Sequence, residues 1–271
     1  MNLEGWLSTH PYLRPVASFH SVVDGAIEAN RTATPLVPEW DDYVNDFHSG
    51  VPLLHSSLVM VDVKPVATTL QPLLRILSRD LNGHLAEQSH ALAAEIQYDA
   101  DAPGRAIESL LGRADFASAC PGLLRFLGWS ILAHRFRSSL DAFAEWRKED
   151  RWNRHYCPTC GSLPAMAQLV GFDSGRRRLL VCGCCGTRWS YRRSGCPFCE
   201  SINEQRVSVL DIEGEAGLRI DFCGLCRGYL KTYAGEGSED VLLADWTSIH
   251  LDVIAADRGL NRLASSLYGI Q

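Results

Sequence analysis

The chain has no apolar run long enough to cross a bilayer. Its most apolar stretch, Leu123 to Ala133, is interrupted by Arg125 and falls far short of the roughly 20 residues a spanning helix needs. Its first residues, Met1-Asn2-Leu3-Glu4-Gly5-Trp6, carry no positive region followed by an apolar stretch, which a secretory leader requires. A cytoplasmic protein without membrane contact is therefore expected. No Ser-His-Asp arrangement, phosphate loop or paired-carboxylate motif stands out, so no catalytic residue is assigned and a non-enzyme is expected. Cysteine is nearly missing from the first half. Cys120 stands alone there, and the other nine of the ten cysteines lie between Cys157 and Cys226. Disulfides need an oxidising compartment. Without an export signal, metal ligation is the expected use of these thiols.

What is present is an ordinary globular composition, 46% hydrophobic and 21% charged over 271 residues, with an uneven distribution of charge. Residues 1–150 hold 12 basic and 19 acidic groups, residues 151–235 hold 12 and 7, and residues 236–271 hold 2 and 6. A basic cysteine-rich module thus sits between two acidic segments. Four prolines (Pro11, Pro15, Pro35, Pro38) interrupt the first 40 residues around a short helix expected from about Ser18 to Asn30. From Asp41 onward apolar residues recur at helical spacing: Tyr43, Val44 and Phe47; Leu70, Leu74, Leu77 and Leu81; Leu85, Leu92 and Ile96. Turns are expected at Ala102-Pro103-Gly104 and Cys120-Pro121-Gly122. A long helix carrying Leu124, Leu127, Ile131, Phe136, Leu140 and Phe143 should then end near Glu149. Composition changes at Arg151 to short β-type runs. After Tyr233 one helix is expected again, with Leu242, Trp246, Ile249 and Val253 on its buried face. The expected fold class is α+β: a helical bundle over residues 1–150, tandem rubredoxin-like or zinc-ribbon β modules over 151–235, and a C-terminal helix over 236–271 that docks back on the body.

The chemistry lies in an internal repeat. Cys157-Pro158-Thr159-Cys160 is followed by a strand-like run from Ala165 to Val170, a turn at Phe172-Asp173-Ser174-Gly175, a second run from Arg176 to Val181, and the pair Cys182 and Cys185. Cys196-Pro197-Phe198-Cys199 starts the same series again. A run near Arg206 to Asp211, a turn over Gly214 to Gly217 and a run from Leu218 to Phe222 lead to Cys223-Gly224-Leu225-Cys226. Two residues between paired cysteines let both sulfurs point from one tight turn at a metal about 2.3 Å away, and two such turns complete a tetrahedron. The eight paired cysteines are thus candidate ligands for two metal ions. Four knuckles can pair in three ways, and the hairpins favour neighbours. The turn also calls for a residue with positive φ after its second cysteine. Gly161 and Gly186 meet that need in the first unit, whereas Glu200 and Arg227 occupy those places in the second, where strain is expected. Cys184 is left over, and His155 is a weaker alternative ligand. Trp189, Tyr191, Tyr229 and Tyr233 follow knuckles and are candidate anchors for a partner or fillers of a small ribbon core. Four thiolates suit zinc and iron alike.

The segment from His155-Tyr156-Cys157-Pro158-Thr159-Cys160-Gly161-Ser162-Leu163-Pro164 to Cys226-Arg227-Gly228-Tyr229-Leu230-Lys231-Thr232 resembles the formate dehydrogenase accessory family, FdhE. The likeness covers about residues 145–260, including Thr187-Arg188-Trp189 and the acidic tail from Asp240 to Asp257. Pro35-Leu36-Val37-Pro38 and Asp42-Tyr43-Val44 echo the family's start. The resemblance implies a cytoplasmic accessory protein that acts on the catalytic subunit of formate dehydrogenase before export. It also implies two rubredoxin-type iron ions, with zinc as the alternative, held by Cys157, Cys160, Cys182, Cys185, Cys196, Cys199, Cys223 and Cys226. Two other function classes compete. One is nucleic-acid binding through Arg176-Arg177-Arg178, Arg188, Arg192 and Arg193, which the acidic flanks and a pI near 5.8 oppose. The other is electron transfer or thiol exchange at the cysteine pairs.

Overall fold

Helical periodicity is realised as eight α-helices among the described residues of the N-terminal half: α1 (Leu3–Thr9), α2 (Arg14–Ala29), α3 (Trp40–Ser49), α4 (Lys64–Asp80), α5 (His84–Ile96), α6 (Ala102–Leu110), α7 (Pro121–Arg135) and α8 (Arg137–Trp146). The structure, a computed structural model, describes residues 2–29, 39–147, 152–171, 175–203, 207–215, 217–235 and 239–267. The Pro35–Pro38 echo, Glu149, Arg151, Arg206 and the tip of the first hairpin therefore lie outside the described residues. The apolar stripes are buried for the most part as expected, with Val44 and Leu81 half-buried and Leu85 exposed. Leu70, Leu74 and Leu77 of α4 and Leu92 and Ile96 of α5 are fully covered. Helix α7 buries residues around most of its circumference, Leu123, Leu124, Phe126, Leu127, Trp129, Ile131 and Leu132, which makes it the central helix of the bundle.

Two expectations change here. Ala102-Pro103-Gly104 and Cys120-Pro121-Gly122 open helices α6 and α7 rather than forming turns, with each proline in a first helical turn. There its missing N–H has no helical partner to lose. The single long helix expected after Cys120 is split into α7 and α8 at Phe136, whose ring enters the core.

The cysteine-rich region forms six strands: β1 (Pro164–Val170), β2 (Arg177–Cys182), β3 (Arg188–Tyr191), β4 (Val207–Asp211), β5 (Leu218–Cys223) and β6 (Tyr229–Ala234). Each unit is a three-stranded antiparallel ribbon, one strand more than the hairpin read from the sequence. The two ribbons join into one sheet in the order β3-β2-β1-β6-β5-β4. Its seam is the parallel pair of β1 and β6, with Met166 opposite Lys231 and Leu169 opposite Ala234.

The core runs across the helix–sheet boundary. The cluster formed by the bundle side chains also contains Trp152, Cys157, Cys160, Leu180, Cys182 and Trp189. The backbone N–H groups of Leu53 and Leu54 donate to the carbonyls of Pro158 and Thr159, each at 2.8 Å. Helix α1 belongs to a second cluster, in which Trp6 and Leu7 pack with Leu218, Ile220, Tyr229, Tyr233 and Leu251.

In place of one C-terminal helix with a single apolar face, the tail forms α9 (Glu239–Leu242), a 3-10 turn (Asp245–Ser248) and α10 (Ile249–Asp257). Val253 is exposed. The cause is electrostatic, because the tail turns carboxylates inward. Lys231, buried on β6, places its Nζ 2.7 Å from Asp245 Oδ1 and 2.8 Å from Asp252 Oδ2. Arg262 spans the same two carboxylates at 2.7 and 2.6 Å, and the Tyr229 hydroxyl donates to Asp252 at 2.6 Å. Two cations thus face two anions, and each charge is matched.

Removing one member strands a buried charge. Lys231→Met should cost about 3–5 kcal/mol, read as a lower midpoint in urea unfolding. Burial acts to raise the Asp245 carboxyl, but Lys231 and Arg262 outweigh it and hold the pKa below the ordinary 3.8. The stability it contributes is complete above that value and disappears only as the pH falls through the lower folded-state pKa. An acid titration in which the wild-type tail detached well above pH 3.8 would contradict this account.

Candidate metal centres

The four cysteine turns share one local geometry. In each, the N–H of the first cysteine donates to the carbonyl five residues on, as in Cys157 to Ser162, Cys182 to Thr187, Cys196 to Ser201 and Cys223 to Gly228, at 2.9 Å in all four. A backbone N–H two residues after the first cysteine points at its sulfur at 3.4 Å, from Thr159, Cys184, Phe198 and Leu225 respectively. Such donors spread the negative charge of a thiolate before any ion binds. The residue after the second cysteine has positive φ throughout. Gly161 and Gly186 lie at 73°, Glu200 at 56° and Arg227 at 61°. Among the described residues, Glu200 and Arg227 are the two non-glycine residues in that region, as the sequence led us to expect.

Folding brings neighbouring knuckles together. Cys157, Cys160, Cys182 and Cys185 form one group, and Cys196, Cys199, Cys223 and Cys226 the other. In the first, Sγ–Sγ separations are 3.6 Å (Cys157–Cys185), 3.4 Å (Cys160–Cys182) and 3.7 Å (Cys160–Cys185). In the second they are 3.7 Å (Cys196–Cys226) and 3.8 Å (Cys199–Cys223). A tetrahedron with sulfur about 2.3 Å from a central ion has edges of about 3.8 Å, so both groups have the size that zinc or iron requires.

The electrostatics support the same reading. Hydrogen bonding to Cys157 holds the Cys160 and Cys182 thiols well above the ordinary range. Burial opposes ionisation of Cys185, yet hydrogen bonds with Cys157, Cys160, Cys182 and Thr187 hold it well below that range. In the second group burial raises Cys196 and Cys226. Backbone N–H groups of Cys226 and Leu225 lower Cys223 against its burial. Four thiolates this close repel one another, and a divalent cation among them would offset much of that repulsion.

The two groups differ in their surroundings. All four sulfurs of the first are buried, and its turns are tied by a Thr159–Thr187 hydroxyl pair at 2.7 Å. In the second, Cys199 is exposed and Cys226 partly so. Cys184 lies beside the first group, 3.6 Å from the Ser162 hydroxyl, without joining it. His155 is turned toward Glu200, 3.2 Å away, and joins neither group.

Trp189, Tyr191 and Tyr229, considered above as partner anchors, have 1%, 5% and 5% of their surface exposed. They are packing residues. Trp189 Nε1 donates to the Arg154 carbonyl at 3.0 Å, Tyr191 lies beneath Arg178 and Arg192, and Tyr229 is held by Asp252. Part of the basic cluster is consumed internally as well. Arg178 is buried and donates to the carbonyls of Arg192 and Gly195. Sequence reasoning did not find the Lys231–Asp245–Asp252–Arg262 network. Lys231 and the acidic tail were visible as residues, but nothing in their spacing showed that they meet.

Because Cys199 is exposed and Cys226 partly so, the second group should release its metal to a chelator before the first does. A biphasic release whose slow phase survives Cys199→Ser checks this. Glu200→Gly removes an L-residue from a backbone region that costs roughly 1 kcal/mol and should raise stability by up to about that amount. Arg227→Gly should gain less in the same thermal unfolding assay, because the Arg227 guanidinium also holds the carbonyls of Arg258 and Gly259.

No protein-family model matches the chain. Among characterised sequences it is similar to the protein FdhE homolog of Pseudomonas putida, with 32% identity over 229 residues, 81% of this chain and 69% of that protein. It is also similar to the homologs of Citrobacter koseri, 28% identical over 70% of this chain and 66% of that one, and of Haemophilus influenzae, 34% identical over 42% and 38%. The match thus spans from about two fifths to about two thirds of these relatives' length. The crystal structure of the FdhE protein from Pseudomonas aeruginosa superposes with a TM-score of 0.63 at 24% identity, covering 95% of this chain and 88% of that one, which establishes a shared fold. Together with the extent of the Pseudomonas putida match, this shows that the chain belongs to the FdhE family.

Proposed function

We propose that the protein is a cytoplasmic accessory factor for formate dehydrogenase, binding the immature catalytic subunit and carrying two sulfur-ligated metal ions without catalysing a reaction itself. The observation that carries this reading is the family relationship over four fifths of the chain. The paired four-cysteine groups support it, since their tetrahedral dimensions suit a structural or redox ion. Iron is the favoured ion and zinc the alternative, with Cys157, Cys160, Cys182 and Cys185 holding one and Cys196, Cys199, Cys223 and Cys226 the other. Iron in four thiolates supplies a one-electron couple, and zinc supplies rigidity alone. The residues themselves set the turns, screen the sulfurs with backbone N–H groups and fix the ribbons against the bundle. The exposure of Cys199 favours a second reading, electron exchange with a bound protein at the outer site. Among the described residues no helix is long and apolar enough to cross a membrane, in keeping with a role away from the bilayer.

Two experiments test the proposal. Affinity capture should recover a formate dehydrogenase catalytic subunit, and deletion should lower formate oxidation. Failure of both would remove the assignment. Protein purified without air should hold two sulfur-bound metals per chain. A coloured ferric form identifies iron, a colourless one zinc, and a reversible potential supports the electron-exchange reading.

A further inference from the structure

Away from both cysteine groups, three segments distant in sequence bring metal-ligating atoms to one point. His10 follows α1, Glu215 lies in the turn between β4 and β5, and His250 is in the first turn of α10. His10 Nε2 is 3.0 Å and His250 Nε2 2.8 Å from the same carboxylate oxygen, Glu215 Oε1. The side chains are 10%, 17% and 10% exposed for His10, His250 and Glu215. We propose that His10, Glu215 and His250 form a third metal site, built of nitrogen and oxygen donors, that takes a divalent transition ion such as zinc.

Three features argue for a cation there. First, the other carboxylate oxygen, Glu215 Oε2, and both ring nitrogens of His250 are buried without a hydrogen-bond partner. His250 Nε2 and Glu215 Oε1 are in ion-pair contact at 2.8 Å, which leaves Glu215 Oε2 and His250 Nδ1 unmatched. Buried polar atoms in this state are rare unless an ion or water completes them. Second, His10 Nδ1 is held by the Thr9 hydroxyl at 2.9 Å and the Trp6 carbonyl at 3.1 Å, which fixes the ring with Nε2 toward the carboxylate, and the tautomer with its proton on Nδ1 offers the Nε2 lone pair to a cation. Orientation of a ligating imidazole by a backbone carbonyl is the usual second contact in metal sites. Third, the dimensions fit. Donors about 2.1 Å from one ion stand about 3.0–3.4 Å apart, within a few tenths of an ångström of the observed separations. Two imidazoles and a carboxylate suit zinc and its neighbours in the first transition row.

The surroundings hold the ligands in place. The Trp6 ring stacks on His10 at 3.8 Å, Tyr12 stands edge-on to both imidazoles at 5.8 Å, and Trp6 Nε1 donates to the Thr247 carbonyl at 3.0 Å. A bound ion would clamp the N-terminal helix to the second ribbon and to α10.

The test is metal counting on the full chain, stripped by chelator under reducing conditions, reloaded with cobalt(II) or zinc(II) and gel-filtered. Wild type should retain three equivalents, and Glu215→Gln or His250→Asn two. Cobalt separates the sites by spectrum, since thiolate ligation gives intense sulfur-to-cobalt charge transfer in the near ultraviolet and the third equivalent adds only weak visible bands. The sulfur sites are therefore read independently of this one. Two equivalents in wild type with the thiolate band fully developed would overturn the proposal and leave a histidine–carboxylate cluster bridged by a proton. Three equivalents retained in folded variants would overturn it as well. If a variant fails to fold, the wild-type count and spectrum decide.

Discussion

Four cysteine sulfurs within 4.8 Å of one another, twice over, form the constraint on which the rest of this structure depends. Such a group is unfavourable as four thiolates, and a cation bound among them would offset that repulsion. The turns of the ribbons are closed by backbone hydrogen bonds within each knuckle, and an ion would add to these. Their strands are four to seven residues long, and a short hairpin alone is marginal in water. An ion bound there would add its binding energy to folding. The first group would convey that energy to the helices directly, because Leu53 and Leu54 hydrogen-bond to the knuckle that carries two of its sulfurs.

From that anchor the architecture is built outward. The first ribbon is sealed on one face by the bundle, and the second joins it edge to edge through β1 and β6. A parallel seam of four residue pairs is a modest joint by itself. Its strength comes from what lies across it: Lys231 sits in the seam and draws Asp245 and Asp252 over the sheet. The C-terminal segment is fixed in this way by charge as much as by apolar contact. That explains why α10 buries Asp252 and leaves Val253 in water.

Legibility followed locality. The knuckles, their ligand spacing and the positive φ at Glu200 and Arg227 are properties of five or six consecutive residues, and all could be read from sequence. The stripes of α4 and α7 could be read as well, because burial on a helix repeats every three to four residues. The prolines at 103 and 121 misled because proline marks a turn and a helix start equally well. The third strand of the first ribbon, β3, was hidden by its length of four residues. The inward turn of Trp189, Tyr191 and Tyr229 was hidden because an aromatic residue looks the same in sequence whether it faces a partner or a core. The buried ion network and the His10–Glu215–His250 cluster join residues up to 240 positions apart, and no pattern within one segment marks them.

The two sulfur groups differ in a way that their common spacing conceals. Both turns of the inner group use glycine where the backbone must turn left-handed, and its sulfurs are sealed. The outer group uses Glu200 and Arg227 at the same places and leaves Cys199 open. Glycine would relieve the backbone but would also remove two tertiary ties. Glu200 reaches His155, next to the first knuckle, and Arg227 holds the carbonyls at the end of α10. In the outer ribbon, side chains that span to its neighbours support these turns, at the cost of strain in each. An inner site fixed by packing and an outer site fixed by side-chain ties divide two tasks within one repeat. On the proposed reading, an ion in the inner group would hold the fold, and one in the outer group, beside the exposed Cys199, would be the one a bound protein could reach.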